Sequence, residues 1–295
     1  MPTIQVPFNS SHSRWTDIRG AALMAEELGF DTVWLPDELV WKFPPDFRPM
    51  GTWECVSMAA AVAAVTTRIK VGSWVLSALH RNPGLTVKVA EAIDEISDGR
   101  FLFGLGSGHS GDQGKAFGYP PDKVVGRYEE ALEIIIPLLR DGVATHTGQF
   151  HSAHEQDNLP RGPRGSNLPV MLAGHGPRTI RLAVKYADTW SGYATESSLP
   201  SAFTDMIRMV NQTCADQGRD PETLGKSIGV FVEPTGERLV EELGFGLPLR
   251  GDAAAIADSI RQFADMGVTM VELVPAPFTG EALETLGEVL QILDS

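Results

Sequence analysis

The amino-acid sequence predicts an α/β fold, a closed (β/α)8 TIM barrel that takes residues 1–295 as a single domain. Three observations predict it. Segments of strand character alternate with segments of 3.6-residue period along almost the whole chain, eight of each. Each strand precedes its helix, the order that a parallel sheet with crossover helices requires. No linker, short-period repeat or low-complexity tract cuts the series in two, and 295 residues accommodate a barrel of roughly 250.

A weak first strand falls at Ile4 to Val6. Ile18, Ala21, Ala22, Ala25 and Leu28 share one helical face, and Gly29 closes that helix before the β-rich run Thr32 to Leu35. A helix from Trp53 to Val65 precedes the third strand, Ile69 to Leu76; Asn82-Pro83 then reads as N-cap and first position of a helix ending near Ser97. Phe101 to Gly106 is apolar on both faces, which predicts a buried strand. Val124, Tyr128, Ala131, Ile135 and Leu138 mark a long helix, whereas residues 141–168, rich in Gly, Pro, His and Arg, predict an irregular excursion. Four more strands follow at Pro169 to Ala173, near Thr189, at Ser227 to Val232 and at Met270 to Val274. Their helices open at Pro177 and Pro200, carry Ile256, Ile260, Phe263 and Ala264, and run from Glu281 to Leu293.

Composition narrows the function classes. At 43% hydrophobic and 21% charged the chain supports a sizeable core, and a formal net charge of −14 repels nucleic acid and anionic membrane surfaces. The start MPTIQVPFNSSHSRW has no signal-peptide pattern, and the longest apolar run, Met58 to Val65, is too short to span a bilayer. Cys55 and Cys214 lie outside any C-x-x-C pattern, so neither a disulfide framework nor a thiolate zinc site is expected. The expectation is a cytoplasmic protein acting on a small molecule, with no nucleic-acid or membrane partner.

In a parallel barrel the functional groups sit at the C-terminal ends of the strands. Asp37, Glu38 and Trp41 follow the second strand, two carboxylates for proton transfer and an indole that can cover a flat ring; a solvated acidic loop is the alternative. Gly106-Ser107-Gly108-His109-Ser110-Gly111 follows the fourth and matches G-x-G-x-x-G. Gly118-Tyr119-Pro120-Pro121 intervenes before the long helix, so the dinucleotide reading is weak and the glycines instead allow a planar ligand close to the backbone. Ala173-Gly174-His175-Gly176-Pro177-Arg178-Thr179 joins a strand to a helix N-terminus with Arg and Thr beside it, the pattern of a phosphate site; a purely structural tight turn is the alternative.

Other features carry less. His151, His154, Glu155 and Asp157 lie in the irregular stretch with no helix to fix their spacing, and no metal is expected. Arg161 and Arg164 form a basic island that serves either solubility or an anionic group at the mouth. No Gly-x-Ser-x-Gly elbow is present, and neither cysteine ends a strand, which argues against a covalent nucleophile.

Four segments, Gly29 to Asp37, Arg81-Asn82-Pro83, Asp98 to Gly108, and Ala173 to Thr179 with Ala187-Asp188-Thr189-Trp190, together resemble the bacterial luciferase-like monooxygenase superfamily, within it the branch that uses coenzyme F420, a 5-deazaflavin. The resemblance covers nearly the full length. It implies a cofactor ring resting on a third-strand bulge at Gly72, Ser73, Trp74 and Val75, often with a non-prolyl cis peptide, flanked by Gly106, Ser107 and Gly108. It also implies a cofactor phosphate held by Ala173, Gly174, His175, Gly176, Arg178 and Thr179. The family usually has Asp-His where this chain has Asp37-Glu38, and often a glutamate where it has His109, which puts acid and base roles at exchanged positions. Hydride transfer fits this inventory: it needs alignment, a dry pocket and one proton carrier, here Glu38 or His109, with Trp41, Trp74 and Trp190 as pocket walls. The expectation is an F420-dependent oxidoreductase, a homodimer by symmetric contacts. An FMN-dependent monooxygenase and a cofactor-free binding protein are the alternatives.

Overall fold

The structure, a computed structural model, describes residues 2–5, 13–41, 50–108, 111–236 and 238–295. β1 (Pro2–Gln5) and α1 (Trp15–Leu28) open the chain; β2 (Thr32–Leu35) is followed by an antiparallel pair, β3 (Val40–Trp41) with β4 (Met50–Gly51), and then α2 (Cys55–Val65). The third barrel strand is divided into β5 (Lys70–Ser73) and β6 (Leu76–Ser77), with α3 (Pro83–Ile96) behind it. β7 (Phe101–Gly106) leads into short α4 (Asp112–Phe117) and long α5 (Val124–Arg140), and a hairpin of β8 (Val143–Thr147) and β9 (Ser152–Asp157) precedes β10 (Val170–Ala173). Then come α6 (Pro177–Tyr186), β11 (Thr189–Tyr193), α7 (Thr204–Asp216), β12 (Gly225–Glu233), α8 (Leu239–Glu242), β13 (Leu249–Arg250), α9 (Ala253–Asp265), β14 (Met270–Pro275) and α10 (Gly280–Asp294).

Parallel pairing runs from β1 through β2, β5 with β6, β7, β10, β11, β12 and β14 back to β1, which closes an eight-stranded TIM barrel as the sequence predicts. Local chemistry explains the ends. Asn82 caps α3 by accepting from Gly84 N at 2.9 Å, Glu54 caps α2 through Val56 N and Ser57 N at 3.1 and 2.8 Å, and Gly29 ends α1 at φ 91°. Each such side-chain cap is worth about 1 kcal/mol.

Strand alternation sorts the residues into two layers. Val33, Val71, Phe103, Leu105, Leu172, Trp190, Ile228 and Leu273 point outward into one continuous apolar layer under the helices. Thr3, Trp34, Ser191, Ser227 and Glu272, all buried, fall on the opposite face and fill the barrel. Inside it, the Trp34 indole donates to Thr3 Oγ1 at 2.8 Å and Ser227 donates to the Glu272 carboxyl.

Two segments depart from expectation. Residues 141–168 are not an irregular excursion throughout: β8 and β9 form an antiparallel hairpin over residues 143–157, with a register shift between Ala144 and His146. A short helix, α4, also starts directly behind Gly111, so the long helix is not the first to follow the glycines.

Candidate functional site

Asp37 anchors the mouth. Its side chain is fully buried and accepts from Ser77 N at 2.8 Å, from His80 Nδ1 at 3.1 Å and from both Arg81 Nη atoms at 2.7 and 2.9 Å. Arg81 Nη2 also reaches Glu54 at 2.5 Å. Burial alone would raise the Asp37 pKa, but the hydrogen bonds from His80 and Arg81 and the Arg81 charge outweigh it and leave the value below the ordinary carboxylate range. Asp37 is therefore ionised and ties the ends of β2 and β6 together. The sequence reading expects it to move a proton; the structure instead surrounds it with four donor atoms, two of them from a guanidinium, which makes it an anchor held in its charged form. His80 was not singled out from the sequence, since no local pattern joins it to a carboxylate 43 residues earlier.

Between β5 and β6 the chain bulges into the barrel. Four steps from Gly72 to Leu76 are matched by only three from Leu102 to Leu105 on β7, so one residue is extra. Ser73 Oγ fills the interrupted ladder, donating to Gly104 O at 2.9 Å and accepting from Gly104 N at 3.0 Å. The Trp74-Val75 peptide is cis, as the family resemblance implied. Trp74 points inward, its indole donating to Ser191 Oγ at 3.1 Å and lying where a Cβ on Gly229 would be. Gly108 (φ 73°) lies so near Ser77 that a side chain there would collide with its hydroxyl. Ser107, half-buried, donates to Gly108 O at 3.2 Å.

At the end of β10, Thr179 packs against Gly174 and donates to Gly176 O at 3.0 Å. The α6 N-terminus carries no side-chain cap, in contrast to α2 and α3, so its first-turn N–H groups face the mouth without a protein acceptor from the cap position. Arg178 is exposed and forms a two-point ion pair with Glu129 of α5. His175 Nε2 accepts from Tyr193 N at 3.1 Å, and burial holds its pKa below the usual histidine range. Glu38 lies within electrostatic reach of Tyr193 at the end of β11. Gln113 of α4, also missed in the sequence, accepts from Leu39 N and Val40 N at 2.6 and 2.9 Å and so fixes the segment that carries Glu38.

Residues 2–242 match the profile of a family described as luciferase-like monooxygenase. The chain belongs to the luciferase-like monooxygenase family. It is 28% identical over 220 residues to a phthiodiolone/phenolphthiodiolone dimycocerosates ketoreductase of Mycobacterium sp. (strain JLS), covering 68% of this chain but only 57% of that protein's length. It is 27% identical over 237 residues to an F420-dependent glucose-6-phosphate dehydrogenase of Microbacterium testaceum (strain StLB037), covering 77% and 67%. The solved structure of an F420-dependent secondary alcohol dehydrogenase with an F420-acetone adduct superposes with TM-score 0.84 at 17% identity over 99% of this chain and 98% of that one. The EDTA monooxygenase EmoA of Chelativorans sp. BNC1 superposes with TM-score 0.79 at 15% identity over 99% and 93%. At these identities the superpositions establish the shared barrel.

Several predicted residues of this luciferase-like chain do not reach the mouth. Trp190 is no pocket wall: it is fully buried on the outer face of β11, where its indole donates to Gly174 O at 2.8 Å. Arg164 binds Asp94 and Phe101 O, and Arg161 binds Leu139 O beside Glu91, at the opposite end of the barrel from the mouth, so neither gathers an anionic group there. His109 lies outside the described residues, and of Trp41 only its place in β3 is described. Among the described residues no group of three or more His, Cys, Asp or Glu is arranged to hold a metal, and no helix is long and apolar enough to cross a membrane. A cavity of about 240 Å³, absent from the sequence reading, opens beside the Asp37 anchor between His80, Arg81, Asn82, Arg127 and His151.

Proposed function

We propose that this luciferase-like protein is an oxidoreductase that transfers a hydride between coenzyme F420 and a small organic substrate. The observation that carries the reading is the pairing of an inward bulge at Gly72, Ser73, Trp74 and Val75 with an uncapped α6 N-terminus across the same mouth. A phosphate-bearing planar cofactor needs both, a platform for its ring and a set of unclaimed N–H donors for its anion. The curated relative from Microbacterium testaceum and the alcohol dehydrogenase structure, both F420-dependent by name, favour the deazaflavin. EDTA monooxygenase shares the barrel, which keeps FMN as the second reading.

F420, when bound, supplies a ring carbon that accepts or gives up a hydride. The chain's residues do the remaining work. The bulge and the backbone at Gly106, Ser107 and Gly108 would carry the ring, and the Trp74 indole, pinned by Ser191, would line the same mouth. Ala173, Gly174, His175, Gly176, Arg178 and Thr179 would hold the phosphate, with Arg178, now paired with Glu129, free to turn to it. Asp37 holds His80, Arg81 and the β6 end in place, and the proton is carried by Glu38 with His109 as its partner. Titrating the purified protein with F420 and with FMN, followed by tryptophan fluorescence, tests the reading. F420 is expected to bind at least tenfold more tightly; FMN binding tighter by that factor makes the protein a flavin enzyme, and binding of neither makes it a cofactor-free binding protein.

A further inference from the structure

The cavity beside the Asp37 anchor has no part in the roles above. We infer that it is a second anion site, built for the carboxylate of a small aliphatic monocarboxylic acid and separate from the turn of Gly174 to Thr179. The inference goes beyond the hydride-transfer reading and does not depend on it.

The pocket measures about 240 Å³ and opens between the segment after β6, the start of α5 and the tip of the β8–β9 hairpin. A cavity of ~150 Å³ already holds a guest the size of benzene, so a small organic acid fits. The polar part of the wall offers donors. Asn82 gives its side-chain oxygen to Gly84 N and Leu85 N, which leaves its amide N–H groups with no acceptor among the described residues. Arg127 is oriented by Asp122, with Nε donating to the carbonyl oxygen at 3.1 Å and Nη2 to Oδ1 at 3.4 Å, and its guanidinium lies over the Phe150 ring. Its Nη1 has no acceptor among the described residues. His151 Nε2 is buried and likewise has no partner there; with its hydrogen on that nitrogen the neutral imidazole is a third donor. Three unclaimed donors around one cavity match the two oxygens of a carboxylate.

Charge selects the class of guest. Burial holds the His151 pKa below the usual histidine range, Glu130 opposing it and the Arg127 and His146 charges adding to it, so the ring is neutral at neutral pH. Arg81 lies on the wall, but Asp37 and Glu54 already meet its charge. Asp122 is largely exposed, so water screens its charge, and Arg127 leaves one positive charge for a guest. A carboxylate carries one negative charge, whereas a phosphate monoester carries about −1.5 to −2 near neutral pH and would find no cation for the second. Ala78, Leu79 and Pro120 line the rest of the pocket and suit a short alkyl chain. The site is distinct from the proposed phosphate turn. Arg178 pairs with Glu129, two residues after Arg127 on α5; two residues turn a helix by about 200°, so Glu129 faces α6 while Arg127 faces the hairpin tip.

The test needs no cofactor. Butanoate, butan-1-ol and butyl phosphate, which share one alkyl chain, are titrated calorimetrically into the protein near neutral pH and at low ionic strength. Butanoate is expected to saturate a single site, and the alcohol and the phosphate ester to bind about tenfold more weakly or worse. Arg127→Gln should weaken butanoate by about tenfold or more, the loss of a charge-assisted hydrogen bond. Asn82→Asp should do the same by replacing the donor with a negative charge; aspartate caps a helix as well as asparagine does, so α3 and the melting temperature are expected to stay as in wild type. Arg178→Ala, which alters the other turn, should bind butanoate as wild type does. The proposal is overturned if butanoate does not saturate, if butan-1-ol or butyl phosphate binds as tightly, if Asn82→Asp binds butanoate like wild type, or if Arg178→Ala loses the binding.

Discussion

At the scale of single residues, Asp37 shows how a carboxylate that reads as catalytic in sequence becomes a fastener. Four donor atoms converge on it, and its partners come from the β6 end and the turn before α3. Asp37→Asn removes the charge from a buried ion pair and, among the described residues, leaves Glu54 as the carboxylate paired with Arg81, so a loss of about 3–5 kcal/mol is expected in urea denaturation. Because the folded-state pKa is depressed, the wild-type contribution is complete above the unfolded value, about 3.9, and is lost as pH falls through the folded one. Acid unfolding should accordingly shift to higher pH and lose steepness in Asp37→Asn. A variant as stable as wild type at pH 7 would show that the anchor carries no stability. Glu38 was legible as a candidate because it follows a strand end; His80 was not, because a lone histidine just after β6 carries no motif.

At the scale of elements, the hairpin of β8 and β9 was hidden for a physical reason. Only Ala144 and Ala153 are buried, so the apolar alternation that betrays a strand is missing from both strands. What holds the hairpin is a long-range contact: Glu130 on α5 accepts from the N–H groups of Gln149, Phe150 and His151 at 2.9, 2.7 and 3.0 Å. The Arg127 guanidinium also covers the Phe150 ring at 4.4 Å. Glu130→Ala should release the tip, raising amide exchange at residues 149–151 by about tenfold or more, since every 1.4 kcal/mol of lost protection is a factor of ten. Unchanged exchange there would mean that the strand ladder alone orders the tip. Helices, by contrast, were placed closely by their caps, because Asn82 and Pro83 act within one turn of themselves.

At the scale of the whole molecule, closing the barrel buries Glu272 of β14 completely, between β12 and β1. Ser227 donates to one oxygen, but the other has no partner, and burial pushes the pKa up to about 8. A folded-state pKa above the unfolded value near 4.3 means that the native chain holds an extra proton in between, so stability declines as pH rises from about 4.3 through about 8. The penalty at the alkaline end is on the order of 4–5 kcal/mol. Glu272→Gln keeps the volume without the charge, and its unfolding free energy is expected to be flatter across that window and higher than wild type above pH 8. A parallel pH dependence in the two proteins would assign the titration to another group.

The sequence by itself determined the order of strands and helices, and with it the barrel, because hydrophobic period, caps and turn residues act over a few neighbours. It also put Glu38, the glycines of residues 106–108 and the Gly174 to Thr179 turn at strand ends, since that follows from element order alone. Tertiary structure alone decided that Asp37 is tied to His80 and Arg81, that Trp190 faces the helices while Tyr193 faces the mouth, and that Arg161 and Arg164 sit at the far end. These outcomes depend on strand register and on partners tens of residues away, and a one-residue difference in register exchanges the two faces of a strand.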